Sequence, residues 1–211
     1  MTYYPAPMTL TNLFQYISFI APVLVIFFIT LLSIMQNNFE KGLIFNMGIV
    51  LLSGAVISIK YIIKNPQSPL ASPFCNVMPS PFNIIAGCSV YDIPSMSTAL
   101  LSFSSTYLIY PMLINNQQNY ALLLSLLAIT GVNAVVEWHQ KCSNIWGVLL
   151  GILLGISWGI LYYFLLWISN KKGNLVYFSD TISNNVQCSK PSKQNFKCEF
   201  YKDGQPYGNR V

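Results

Sequence analysis

The stretch HQKCSNIWGVLLGILLGISWG, residues 139–159, decides how this chain is read. It opens on His139, the only histidine among 211 residues, and crosses a short polar linker. It then runs on as an apolar segment carrying Gly147, Gly151, Gly155 and Gly159. Residues four apart share one face of a helix, so the four glycines form a single smooth stripe. Small residues at this spacing let helix backbones approach closely in a bilayer. The stripe is expected to pack its helix within the protein rather than between subunits. The linker lies between two apolar runs, which puts His139 at a membrane edge.

Composition extends that reading to the whole chain. Hydrophobic residues make up 54% and charged residues only 8%, against about 25% charged in an ordinary soluble domain. Such a chain cannot cover a water-facing surface, and its charges fall in short segments between apolar runs. The expected class is an all-α membrane protein: a multi-pass bundle of about five transmembrane helices, residues 1–169, followed by a short polar tail, residues 170–211. The expected spans are 13–35, 42–63, 94–114, 120–136 and 145–168, each near the length needed to cross a hydrocarbon core about 30 Å thick. The first lacks a basic region before it and exceeds a signal-peptide core in length, so it is read as a retained span. Proline in the first turn suits the start of the third. Residues 65–94 form an irregular loop holding Pro66, Pro69, Pro73, Pro79, Pro81 and Pro94, since proline lacks a backbone donor and disfavours helix.

Five spans set the N-terminus, the loop 65–94 and the loop 137–144 on one side, and the tail on the other. Lysines near the spans are nearly balanced: Lys60, Lys64 and Lys141 against Lys41, Lys171 and Lys172. The further tail lysines tilt the orientation toward a cytoplasmic C-terminus. Cys75, Cys88 and Cys142 belong to the loop side, Cys188 and Cys198 to the tail side. Either set can pair locally, although in a cell only one side is oxidising. Neither spacing suits zinc, and no metal or cofactor is expected. In the tail, residues 196–201 and the turn Lys202-Asp203-Gly204-Gln205 read as a strand and a hairpin turn, because Asp-Gly favours positive backbone angles. About 42 residues are marginal for a separate core, so the tail is expected to dock on another protein or on the membrane surface. Its charge, part of the net +5, suits anionic headgroups. No basic stripe interleaved with aromatics suggests nucleic acid.

Three short motifs carry possible chemistry. Lys60 closes the second span, six residues before Gln67-Ser68. Pro94-Ser95-Met96-Ser97 opens the third. Val132-Asn133, five residues, His139, three residues and Ser143 bridge the fourth and fifth. In order and spacing these resemble the type 2 phosphatidic acid phosphatase superfamily of membrane lipid phosphatases, over about residues 42–168. The family's signatures are a lysine six residues before Arg-Pro, then Pro-Ser-Gly-His, then Ser-Arg, five residues, His, three residues, Asp. The resemblance implies a phosphoryl transfer in which one histidine attacks phosphorus, an aspartate orients it, and a second histidine protonates the leaving group. Lysine and two arginines neutralise the phosphate oxygens.

At these positions the chain keeps Lys60, Ser95 and His139, the attacking histidine. It holds Ser97 for the acid, Ser143 for the orienting aspartate, and Gln67 and Asn133 for the two arginines. A lone histidine cannot serve as nucleophile and as separate acid. The single arginine, Arg210, lies far along the tail, which removes bidentate phosphate recognition from the membrane domain. Losing an acid–base partner costs about 10²–10⁴-fold, and losing transition-state charge stabilisation adds a comparable factor. Glu137 can stand in as an orienter of His139, but it supplies no positive charge. In a membrane segment, Asn133 and Glu137 are expected to be hydrogen-bonded to neighbours, because unpaired polar groups there are costly.

The expectation is therefore a phosphatase-like protein with a vestigial site, catalytically inactive, acting as a structural or lipid-binding component of its membrane. Cysteines on both sides fit a membrane enclosed in an ordered assembly, such as the inner membrane of a virus particle. The alternative is an active lipid phosphate or polyprenyl diphosphate phosphatase using His139. A transporter finds no support, since no inverted repeat or interrupted pair of spans is visible.

Overall fold

A computed structural model describes residues 9–72, 75, 91–114, 119–169, 200–202 and 205–207. Five helices follow in order: α1 (Leu10–Met35), α2 (Phe39–Ile63), α3 (Met96–Ile114), α4 (Tyr120–His139) and α5 (Ile145–Ile168). All five are long and apolar enough to cross a membrane, and the protein is a multi-pass helical bundle on that ground. The chain divides into two compact units, Met1–Asp180 and Thr181–Val211. In the second, β1 (Phe200–Lys202) and β2 (Gln205–Tyr207) pair antiparallel with Lys202 opposite Gln205. Residues 196–199 of the expected strand and the Asp203-Gly204 turn itself lie outside the described residues.

The helices end where local chemistry ends them. Thr9 caps α1 by accepting from the Asn12 N–H at 3.3 Å, and Asn119 caps α4 by accepting from the Leu122 N–H at 3.2 Å. Asn144 caps α5, its side chain accepting from the Ile145 N–H at 2.7 Å. These side-chain oxygens satisfy donors that a helix start leaves open. At the far end of α1, Asn37 takes a left-handed conformation (φ 52°). The N–H groups of Asn37 and Asn38 return to the carbonyls of Ile34 and Ser33, a Schellman closure. The turn lets α2 fold back on α1, where Asn46 Nδ2 donates to Thr30 Oγ1 at 3.0 Å.

Two boundaries differ from the sequence expectation. α3 begins at Met96 rather than at Pro94, which precedes the helix. α4 runs through Glu137 to His139 instead of stopping at Val136, so these residues are helical rather than in a loop. The extension follows from Asn133 and Glu137, four apart on the buried face, whose hydrogen bonds reward one more turn. The helix then closes with a second Schellman motif. Lys141 is left-handed (φ 55°), with Lys141 N–H on Trp138 O at 3.1 Å and Cys142 N–H on Glu137 O at 3.0 Å.

α3 is the least apolar of the five spans and the most enclosed, with 72% of its membrane window buried against 28% for α1. The two facts belong together: a helix surrounded by other helices need not present an apolar surface to lipid. Serines can therefore sit in it without meeting hydrocarbon. Ser104 bonds back to Leu100 O at 2.8 Å, and Ser105 pairs with Thr130 of α4 at 3.1 Å. Aromatics fill the middle of the bundle, where Phe45, Phe103, Tyr107 and Tyr162 lie with ring centroids 5.3–6.2 Å apart. The Tyr162 hydroxyl finds the Ile44 carbonyl at 2.7 Å, as a buried tyrosine requires. Outward faces of α1, α4 and α5 carry Phe27, Leu124, Leu127, Leu153 and Leu165, all exposed. Exposed Trp138 and Trp146 mark one end of the bundle, and exposed Tyr120 and Trp167 the other, as aromatic belts do at the two interfaces of a bilayer.

Candidate functional site

The glycine stripe of α5 lies against α3. A Cβ built on Gly159 would stand 2.9 Å from Thr106 Cβ. On Gly155 it would stand 2.7 Å from Ser102 Cβ and 2.8 Å from the Phe103 nitrogen, and on Gly151 2.7 Å from the Ser95 carbonyl oxygen. Much of what a side chain would strike is backbone, which cannot step aside. Gly147 continues the stripe into the loop end, where its carbonyl accepts the Ser95 N–H at 2.9 Å. The close approach thereby fixes the first turn of α3, the part that carries Ser95 and Ser97.

From that turn both serines reach α4. Ser95 Oγ donates to Glu137 Oε2 and Ser97 Oγ donates to Glu137 Oε1. Ser97 Oγ also lies 3.2 Å from Asn133 Oδ1, and Asn133 Nδ2 donates to the Ser18 carbonyl of α1 at 2.8 Å. Glu137 is only 5% exposed and Asn133 is fully buried. Three helices are thus joined through one carboxylate and one amide. The Lys60 ammonium donates to Tyr91 O at 3.0 Å.

His139 lies elsewhere. It is exposed, and two residues along a helix turn it about 200° from Glu137. Among the described residues no hydrogen bond joins it to Glu137, whose carboxylate faces Ser95 and Ser97 instead, so Glu137 does not orient His139 as the sequence suggested. Ser143 does not take the role either, since its hydroxyl donates to Asp92 O at 2.9 Å. Gln67, at one arginine position, donates from Nε2 to Cys142 O at 3.2 Å. Ser95, Ser97 and Asn133 therefore form one cluster with Glu137, Lys60 bonds the Tyr91 carbonyl, and His139 and Ser143 line a separate pocket.

Asp92, which the sequence reading passed over, organises that pocket. It is 8% exposed. Its Oδ1 accepts from Asn65 Nδ2 at 2.7 Å and its Oδ2 from the Asn144 N–H at 3.2 Å, while its own N–H donates to Asn65 O at 3.1 Å. The end of α2, the approach to α3 and the start of α5 meet on this one residue. A disulfide between Cys75 and Cys142 ties the long loop to the α4–α5 linker, and Ser72 N–H donates to Gln140 O at 3.2 Å beside it. That pairing was open in the sequence; Cys88, Cys188 and Cys198 lie outside the described residues. The pocket holds about 500 Å³, with Asn65, Asp92, Trp138, His139, Lys141 and Asn144 among its walls.

The chain matches no family model, no curated protein and no solved structure. Its chemistry is therefore read from its own residues. Among the described residues no group of three or more His, Cys, Asp or Glu side chains could hold a metal ion. A signal for Asp92 did exist in the sequence: it is an acidic residue in a proline-rich, otherwise uncharged segment two positions before Pro94.

Proposed function

We propose that this protein is a phosphatase-like but catalytically inactive membrane component, with a structural and lipid-binding role in its bilayer. One observation carries the reading: the side chains at the positions of the phosphatase motifs are spent on holding helices and loops together. Ser97, at the acid position, bonds the buried Glu137 carboxylate. Ser143, at the orienting position, bonds a backbone carbonyl. Asn133 and Gln67, at the arginine positions, bond the Ser18 and Cys142 carbonyls. Among the described residues His139 is left exposed without an acid partner, and no second histidine exists in the chain. General acid–base catalysis needs both groups within hydrogen-bond reach of the reacting atoms.

Its setting is proposed to be a membrane enclosed in an ordered assembly, such as a virus particle, with the tail 170–211 reaching other proteins. The test is phosphate release by the purified full chain from phosphatidic acid and from a polyprenyl diphosphate, beside His139→Ala. Equal background rates in both proteins are expected. Turnover that disappears with His139→Ala overturns the inactive reading and makes the chain a phosphatase.

A further inference from the structure

The pocket at the loop end is lined by two charged residues of opposite sign, Asp92 and Lys141. Asp92 sits at the N-terminal end of α5, its carboxylate held by Asn65 and by the Asn144 N–H. Lys141 follows the C-terminal end of α4 in its Schellman closure. Each charge is where a helix dipole favours it, the anion at a helix start and the cation at a helix end. Among the described residues neither has an ion-pair partner, and both line the same cavity of about 500 Å³. The donors around Asp92 are neutral, so they fix its charge without cancelling it.

A cavity with one unpaired anion and one unpaired cation is complementary to a dipolar ligand, and each charge disfavours a ligand of its own sign. Trp138, 55% exposed, stands in the same wall, and a tryptophan face attracts quaternary and primary ammonium groups. The volume lies within the range of about 300–1,000 Å³ usual for small-ligand sites. Because the pocket is lined by Trp138 and His139 at the end of α4, headgroups of the surrounding bilayer are its nearest ligands.

We propose that this pocket binds a zwitterionic phosphodiester headgroup, its ammonium toward Asp92 and Trp138 and its phosphate toward Lys141 and His139. The proposal rests on the lipid-binding reading above and names its ligand class. In it the phosphate is a diester that stays intact, and no bond is made or broken.

The test uses the full chain in detergent, equilibrated with equal amounts of phosphatidylcholine, phosphatidylethanolamine and phosphatidylglycerol, with retained lipid read by native mass spectrometry. The two zwitterionic lipids should be retained over phosphatidylglycerol by about tenfold, the effect of one charge-assisted hydrogen bond. Lys141→Gly puts glycine at a left-handed position and should fold at least as well as the parent, yet retain about tenfold less of all three lipids, since each presents a phosphate to Lys141. Asp92→Asn should shift retention toward phosphatidylglycerol; should that variant fail to fold, Lys141→Gly decides alone. Competition by soluble glycerophosphocholine separates the sources. Displacement at concentrations similar to the lipid's assigns the site to the headgroup in any form, and its failure assigns it to the lipid in the bilayer. Equal retention of all three lipids overturns the proposal, as does retention of the zwitterionic lipids unchanged in Lys141→Gly. Neither result bears on phosphate release, and His139-dependent release would leave this selectivity standing.

Discussion

The glycine seam of α5 and the polar end of α4 that precedes it are built on opposite principles. The seam between α5 and α3 works through missing side chains: Gly151, Gly155 and Gly159 let one helix backbone rest on another. The end of α4 and the linker after it work through polar side chains tied to other elements, Asn133, Glu137 and Ser143 among them. At the seam, any added atom meets something fixed. At the polar end, most of the cost lies in removing an atom that satisfies another, and His139, with its ring exposed, carries little of either. The fold therefore depends on the residues that resemble packing, and far less on the one that resembles a nucleophile.

The seam can be broken most directly at its centre. Gly155→Leu forces a side chain toward Ser102 Cβ and the Phe103 nitrogen, and such overpacking costs about 3 kcal/mol or more. Thermal unfolding in detergent should show a large fall in midpoint or loss of folded protein. Gly131→Ala, at a glycine of α4 with nothing within 4 Å, should leave the midpoint unchanged or raise it by the equivalent of up to about 1 kcal/mol. Similar losses at the two positions would refute a seam specific to α3.

Next in size is the polar cluster. Glu137→Ala strips the acceptor from Ser95 and Ser97 and leaves both hydroxyls buried, at about 2–3 kcal/mol. Glu137→Gln keeps an acceptor and should cost clearly less. If the two variants unfold alike, the hydrogen bonds to the serines are not what the cluster contributes.

Smaller again is the disulfide. Cys75→Ser opens a loop of sequence separation 67. The chain-entropy model gives about 4 kcal/mol for such a loop. Here the helices flanking it stay inserted in the membrane when tertiary contacts are lost, which limits the denatured chain's gain in freedom, so about 2 kcal/mol is expected. Thermal midpoints with and without reductant should differ in the parent and coincide in Cys75→Ser.

Much of the bundle was legible in the sequence because apolar length is a direct physical requirement of a bilayer. The linkers around Asn37 and Asn144, and the polar residues that cap the helices, stand out in an apolar chain. The cost of unpaired polar groups in a membrane segment predicts hydrogen bonds for Asn133 and Glu137, and both are hydrogen-bonded to neighbouring helices. Other features were hidden for identifiable reasons. Hydropathy falls at Glu137 and so ends α4 too early, whereas the serines at the start of α3 make that residue an interior one. The choice of Cys142 as the partner of Cys75 depends on where a loop of irregular backbone returns, and spacing does not encode that. Asp92 escaped notice because its role comes from three elements converging on it, none adjacent to it in sequence except the approach to α3.

The central claim, that the site holds structure and not turnover, is tested most directly by measuring phosphate release and thermal stability together in the parent and in His139→Ala. The imidazole is exposed and its loss should move stability by less than about 0.5 kcal/mol. The account predicts the same background phosphate release and the same unfolding midpoint in both proteins. Phosphate release that falls tenfold or more in His139→Ala, with the midpoint unchanged, would contradict it.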